Sequence, residues 1–366
     1  MVAVLKYFAK NSTKELDIRE FGARFGQDSS IGINRALSEA PNTVSRSVII
    51  PSDPDNINNS FLLSTELVIP ANIILKGVGW QASKLKVADG TNIDAIRLNG
   101  SWIALKDFLV DGNQANQASP GSCIYNSQDD CTFLRLKIEN GRRGIQQQSA
   151  NRSRIKDCWI VDNTRTGLVL GTDCTVLDCY IGSNGFDGSA DDPGGNGEYC
   201  ASIIIQGWDS RITHCHIWGT STGASGGYGI VGHWSNDTQI TRCVIEEHTK
   251  DGIYLNHRNS GWQITNNYIE DNSYVVANVY DGIRFNNDIG QLSYNNQICG
   301  NRFGYQYPAP VPVFGRPAKH RYCVSENNAG CDWNHVVANQ MRDGYTTLAL
   351  ALVGAGSIAN AANNMV

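Results

Sequence analysis

A chain of 366 residues with 41% hydrophobic residues can bury a sizeable core, as one large domain or two ordinary ones. Its 37 glycines and frequent asparagines, without long Ala/Leu/Glu/Lys-rich stretches, argue against a helical protein and suit many short strands and turns. A net charge of −5 lacks the basic footprint of a nucleic-acid binder, so no nucleic-acid partner is expected.

Residues 1–20 form an N-terminal segment whose apolar run is too short for a signal-peptide core, so no signal peptide is visible. A helix is predicted near 29–40, "SSIGINRALSEA": Ser29 or Ser30 caps it, Ile33 and Leu37 share a face, and Pro41 stops it. Beyond it the chain repeats itself. "RIKDCWI" (154–160), "TVLDCYI" (175–181), "RITHCHI" (211–217) and "QITRCVI" (239–245) align with Cys158, Cys179, Cys215 and Cys243 in one column. "FLRLKI" precedes them with Leu136 in that column; "QITNNYI" and "LSYNNQI" follow with Asn267 and Asn296. Column spacings are 22, 21, 36, 28, 24 and 29 residues. After each segment comes a polar turn and a second strand, as in "YGIVG", "DGIYL" and "DGIRF".

A period in this range means stacked repeats that bury their apolar faces against one another. The shortest repeats match one turn of a parallel β-solenoid, and the L-x-x-L-x-L frame of leucine-rich repeats is absent. The expected fold is therefore all-β: a single-stranded right-handed parallel β-helix over 21–366, with the helix near 29–40 capping its N-terminal end. The eleven cysteines, odd in number and without a C-x-x-C pair, read as unpaired core filling, stacked about 4.8 Å apart in successive coils. Near the C-terminus, residues 347–362 are weakly apolar but broken by Gly, Ser and Asn, so no membrane span is expected.

"DIREFGARFGQDSSIGINRALSEA", "SVIIPS" and "LVIPANIILKGVG" together resemble the entry module of pectate-lyase-like right-handed parallel β-helix proteins. That superfamily includes polysaccharide lyases, glycosidases, sugar epimerases and phage tailspike depolymerases. The resemblance implies the fold, a polysaccharide partner, an extracellular or virion-associated setting and, for the tailspike kind, a homotrimer. "GYGIVGH" (227–233) is similar to the Tyr-Gly-(Phe/Ile)-Asp-Pro-His signature of mannuronan C5-epimerases, which carries over Tyr228 and His233; Val231 and Gly232 replace its Asp and Pro.

Three long insertions, 184–200, 219–229 and 272–280, precede the same strand and should crowd one rim of a side groove. Strand alternation leaves His233, Asn256 and Asn286 outward in one column and Val231, Tyr254 and Arg284 in the next. Asp251 and Asp281 enter these strands one above the other, as ordinary Asp-Gly turns or as a carboxylate pair near the ~5–5.5 Å of a retaining glycosidase. The leading expectation is a carbohydrate depolymerase of the glycoside hydrolase type using Asp251 and Asp281. The alternative is a lyase or C5-epimerase on a uronate polymer, with His233, Tyr254 or His257 as base and Arg284 neutralising the carboxylate. A non-catalytic carbohydrate-binding or tailspike protein is the third reading. Tyr228, Trp234, Asn256, His257, Asn286, Asp191 and Glu198 are the expected substrate contacts. No cofactor is required. Asp187, Asp191 and Glu198 fall on ligand positions of an EF-hand-like frame, so Ca2+ is the ion this loop would take.

Overall fold

The computed structural model describes residues 13–56, 58–147, 149–186, 199–219, 227–273, 279–286, 293–304, 320–327, 331–341, 345–354, 356–359 and 364. Two compact units divide the chain, Met1–Val161 and Asp162–Val366. Both are built from coils of a right-handed parallel β-helix, in which three short strands per coil stack into three parallel walls.

In the first unit, wall 1 stacks Ser47–Ile49, Ile74–Lys76, Ala104–Lys106, Thr132–Leu134 and Arg154–Lys156 in parallel register. Among the described residues there is one α-helix, Ser30–Glu39. It buries Ile33 and Leu37, and Asn34 grips the first strand of wall 3, Leu67–Pro70, by donating to Glu66 O and accepting from Val68 N. The capping group differs from expectation. Ser29 turns its hydroxyl back to Arg24 O, and the Asp28 carboxylate instead accepts from Ser30 N at 3.1 Å and from Ser30 Oγ at 2.8 Å. The carboxylate two residues ahead of the helix binds the Ser30 N–H while also binding Ser64, and the Ser29 hydroxyl is engaged by the Arg24 backbone instead.

In the second unit, wall 1 runs through Thr175–Leu177, Arg211–Thr213, Gln239–Thr241, Gln263–Thr265, Gln297–Cys299 and His335–Val337. Wall 2 runs through Tyr180–Gly182, His216–Trp218, Val244–Glu246, Tyr268–Glu270 and Arg302–Gly304. Wall 3 runs through Thr166–Leu170, Ala201–Ile205, Tyr228–His233, Ile253–Asn256, Ile283–Phe285 and His320–Glu326. Each wall sends a ladder of β-branched residues inward; Ile212, Ile240, Ile264 and Ile298 from wall 1 have no exposed surface.

The short turn between walls 1 and 2 explains the cysteine column. The residue before each Cys is left-handed: Asp157, Asp178, His214 and Arg242 have φ between 52° and 55°. The thiol then points inward and donates to the carbonyl two residues earlier, as Cys215 Sγ does to Thr213 O at 3.3 Å. Cys158, Cys179, Cys215 and Cys243 are buried free thiols. The column continues as asparagine, but the partner of Asn267 is Asn301, not Asn296. Asn301 Oδ1 accepts from Asn267 N and Nδ2, both at 3.0 Å, and Asn339 repeats the pattern on Asn301. Asn296 belongs to the preceding turn, where its Oδ1 accepts from Trp262 N. Two asparagine ladders five residues apart fit one pattern, which is why the spacing alone mistook one for the other.

Candidate functional site

The outward columns of wall 3 follow the expected alternation. Val231, Tyr254 and Arg284 are register partners, and so are His233 and Asn256. Outward of the wall does not mean open to water, however. Val231, Tyr254, Tyr228 and Tyr199 join Val169, Ala201 and Ile204 in a second apolar cluster on the outer face. His233, Asn256 and Asn286 are at most 5% exposed. Tyr199 was not expected here; it lies at the end of the acidic insertion and covers the column.

Aromatic rings organise this face. Tyr228 stacks on Tyr254 with centroids 4.8 Å apart and planes 10° apart. Tyr199 stands edge-on to both and to His233. His233 is edge-on to His257 at 4.7 Å, and His257 stacks under Trp234 at 5.5 Å. Trp234 and His257 occupy the same left-handed turn position in successive coils (φ 57° and 61°), which is why their rings meet. Trp234 is 40% exposed and is the solvent-facing end of the series.

Amide donors point at the phenolic oxygens. Asn286 Nδ2 donates to Tyr254 Oη and Asn256 Nδ2 to Tyr199 Oη, each at 2.5 Å. Asn256 Oδ1 accepts from His257 N at 2.9 Å and from Asn286 Nδ2 at 3.1 Å. Two cations flank the stacked rings: Lys250 Nζ lies 4.9 Å from the Tyr228 centroid and Arg284 Cζ 5.8 Å from that of Tyr254. Arg284 keeps a buried Nε–H with no acceptor among the described residues. The arrangement therefore stabilises negative charge in two places, on the phenolic oxygens and beside Arg284.

Asp251 and Asp281 stack as expected, but neither has exposed surface. Asp281 is fully engaged: Arg321 Nε and Nη2 donate at 3.0 and 2.7 Å, Tyr322 N at 3.2 Å and Ser325 Oγ at 2.5 Å. Asp251 Oδ1 accepts Asp281 N at 2.5 Å, while its Oδ2 has no partner among the described residues. In this arrangement the pair is out of substrate reach. Two carboxylates share this buried position with one arginine, and the arginine binds only Asp281. Burial pushes the Asp251 carboxyl up to about 7, with the neighbouring Asp281 charge adding to the effect and Arg284 opposing it.

A pH dependence follows. Asp251 is protonated in the folded protein and ionised in the unfolded chain between about pH 4 and 7. The unfolded state then binds fewer protons, so the contribution of Asp251 to stability is full below pH 4 and is lost as pH rises through 7. Asp251→Asn keeps the acceptor for Asp281 N and removes the titration. Melting curves across this window should show a shallower decline for the variant, and parallel curves would refute the assignment.

Asp187, Asp191 and Glu198, with the Ca2+ expectation they carried, lie outside the described residues. Sequence reasoning also passed over a carboxylate pair on wall 2. Glu246 and Glu270 are register partners there, visible beforehand as "VIE" and "YIE" at the same place in successive repeats.

A family model described as periplasmic copper-binding protein (NosD) matches residues 78–301. Among solved structures, the A-module of the Azotobacter vinelandii mannuronan C-5 epimerase AlgE4 is 16% identical with a TM-score of 0.69, covering 94% of this chain and 100% of that one. The enzymatically active domain of bacteriophage CBA120 tailspike protein 2 is 14% identical with a TM-score of 0.69, covering 93% of this chain and 52% of that one. The catalytic unit of the Streptomyces thermodiastaticus GH87 α-1,3-glucanase is 14% identical with a TM-score of 0.53, covering 97% and 69%. No curated protein matches. These likenesses establish the parallel β-helix. Copper is a different matter. Such a site needs several converging nitrogen or sulfur ligands, yet among the described residues no three His, Cys, Asp or Glu side chains come together as a metal-holding group. The described residues do not fit that ion. No helix among the described residues is long and apolar enough to cross a membrane.

Proposed function

We propose, from the premise that this chain belongs to the NosD family of β-helix proteins, that it is a polysaccharide-acting enzyme working by proton transfer on a uronate polymer at wall 3. The observation that carries this reading is the Tyr228–Tyr254 stack flanked by Lys250 and Arg284, with an amide donor on Tyr254 Oη.

A uronate carries its carboxylate next to C5, the carbon that loses a proton in both β-elimination and epimerisation. Arg284, whose Nε–H has no acceptor among the described residues, binds that carboxylate, and Lys250 adds a second positive charge. Neutralising the carboxylate makes the C5 proton removable. Tyr254 Oη, acting as the phenolate that the Asn286 amide stabilises, takes the proton and becomes the hydroxyl. In elimination the electron pair left on C5 forms the C4–C5 double bond, the C4–O4 bond breaks, and a tyrosine hydroxyl returns a proton to O4. In epimerisation a second acid, the Tyr228 hydroxyl, delivers a proton to the opposite face of C5. Trp234 offers an exposed ring on which a neighbouring sugar can stack. The similarity of "GYGIVGH" to the epimerase signature supports Tyr228 and His233 in this site, and Val231 in place of Asp leaves the carboxylate-neutralising role to Arg284.

The proposed setting is extracellular or virion-associated, with a polysaccharide as partner and a homotrimer as assembly. The test is incubation with a panel of polyuronates in D2O. Deuterium is expected at C5 of one polymer, with ultraviolet absorbance from unsaturated ends if elimination follows. Neither exchange nor absorbance on any polyuronate would sink the reading.

A further inference from the structure

The chemistry proposed for wall 3 leaves Asp251 unused, although this buried carboxyl lies one strand from the arginine that binds the uronate carboxylate. The next coil shows what an aspartate at this position does. Asp281 Oδ1 accepts from Tyr322 N, and Asp281 Oδ2 accepts from the hydroxyl of Ser325, the register partner of Arg284. Asp251 repeats the first half of this pattern: its Oδ1 accepts from Asp281 N at 2.5 Å. The second half is missing. The residue that corresponds to Ser325 is the register partner of Tyr254, and that residue is Arg284. Among the described residues the Arg284 Nε–H has no acceptor and Asp251 Oδ2 has no partner. The repeat therefore aims one unsatisfied atom at the other.

Both atoms are buried, so an ionised Asp251 beside an unpaired guanidinium N–H is costly unless the two meet. The remaining charged and titratable groups around Asp251 are committed elsewhere. Arg321 gives two donors to Asp281, and it shares its strand with Tyr322 and Cys323. Lys250, the preceding residue, has its Nζ 4.9 Å from the Tyr228 ring centroid. Tyr228 is the titratable residue at the near end of the preceding strand, where Gly229 N donates to Asp251 O at 3.1 Å. Arg284 is held loosely: among the described residues its Nη2 reaches only Asn327 Oδ1, at 3.5 Å, the limit of a hydrogen bond. Burial and the Asp281 charge keep Asp251 in its acid form up to about pH 7, against the pull of Arg284 and Arg321. The unpaired arrangement is the one that suits this acid form.

We propose that Asp251 is a positioning residue for Arg284: its ionised carboxylate takes the Arg284 Nε–H and holds the guanidinium against the wall, and its protonated form releases the guanidinium to a substrate carboxylate. The proposal rests on the uronate reading of wall 3 for the identity of the substrate, whereas the Asp251–Arg284 contact needs no ligand. Two carboxylates compete for one donor. Binding of a uronate therefore raises the proton affinity of Asp251, and ionisation of Asp251 weakens uronate binding by the same factor. The sign follows from the acid form. Below about pH 7 Asp251 already carries its proton, and binding is independent of pH. Above it, each uronate that binds returns one proton to Asp251, so affinity falls by up to about tenfold per pH unit. A sugar without a carboxylate does not compete and shows no such slope.

Two measurements on the full chain separate the contact from the substrate. Without ligand, the Asp251 carboxyl is followed through pH by its carbon-13 resonance, assigned by its loss in Asp251→Asn. Arg284→Gln is expected to move the titration midpoint up by about 1–3 pH units, the effect of losing an adjacent arginine. An unchanged midpoint overturns the contact. With ligand, calorimetry follows the binding of oligouronates of several kinds, and of their methyl esters, on both sides of pH 7. Wild type is expected to lose affinity for the acid oligomer above pH 7 and to take up a proton as it binds. The slope and the proton uptake should vanish in Asp251→Asn and with the ester. A purely structural Asp251 would move the melting temperature and leave the slope in place. A slope that survives in Asp251→Asn, as titration of His233 or His257 would give, overturns the proposal. A shifted midpoint without binding of any oligouronate supports the contact and sinks the uronate reading. Binding with an unchanged midpoint sinks the contact and leaves wall 3 standing.

Discussion

Tyr254→Phe is expected to cost about 10²–10⁴ in turnover on a uronate polymer while leaving the fold in place. The substitution removes one oxygen from the centre of the aromatic face. Its ring still stacks on Tyr228, and Asn286 Nδ2 keeps Asn256 Oδ1 as acceptor at 3.1 Å. The structural cost is therefore one hydrogen bond, about 1 kcal/mol. The catalytic cost is much larger, because the phenolic oxygen is the atom at which the Asn286 amide is aimed and the one assigned to take the C5 proton. Tyr228→Phe, measured beside it, separates the two rings: if Tyr254 takes the C5 proton and Tyr228 returns one to O4, the first variant abolishes C5 exchange and the second abolishes elimination while exchange continues. Full exchange in the Tyr254→Phe variant would remove this tyrosine from the mechanism.

Asp281→Ala should be the most destabilising single substitution on wall 3, at about 3–5 kcal/mol. The carboxylate has no exposed surface and receives four donors, two of them from Arg321. Removing it strands a guanidinium that is only about a third exposed, at 32%, and leaves Tyr322 N and Ser325 Oγ without their acceptor. Part of this loss is returned through Asp251, whose carboxyl no longer faces a neighbouring charge. The two sites are therefore coupled: the repulsion can be relieved only once, so the double variant should lose more stability than the sum of the two single changes. Urea unfolding of the two single variants and the double variant measures the difference. A loss under about 1 kcal/mol for Asp281→Ala would mean that Arg321 finds water or another partner at little cost.

The sequence by itself determined the coil. The Cys158, Cys179, Cys215 and Cys243 column, the Ile two places after each, and the alternation of Val231/Tyr254/Arg284 with inward Ile230/Ile253/Ile283 are local consequences of strand and turn geometry, and local rules suffice for them. The step from Asn267 was misread because it depends on which of two asparagine ladders a turn joins, a non-local choice that only hydrogen bonds to Asn301 reveal. Tertiary structure also decided what "outward" means. A strand's alternation says which side of the wall a residue occupies, not what lies over it. Tyr199 covers His233, Tyr254 and Asn256 from an insertion whose path no periodicity describes. The same distinction governs the carboxylates. Asp251 and Asp281 looked like an acid/base pair from their repeat, but four donors from the strand His320–Glu326 engage Asp281 inside the protein. Glu246 and Glu270 carry an equally regular repeat. Their surroundings, His216 beside Glu246 and Arg302 beside Glu270, exist only once the coils are stacked.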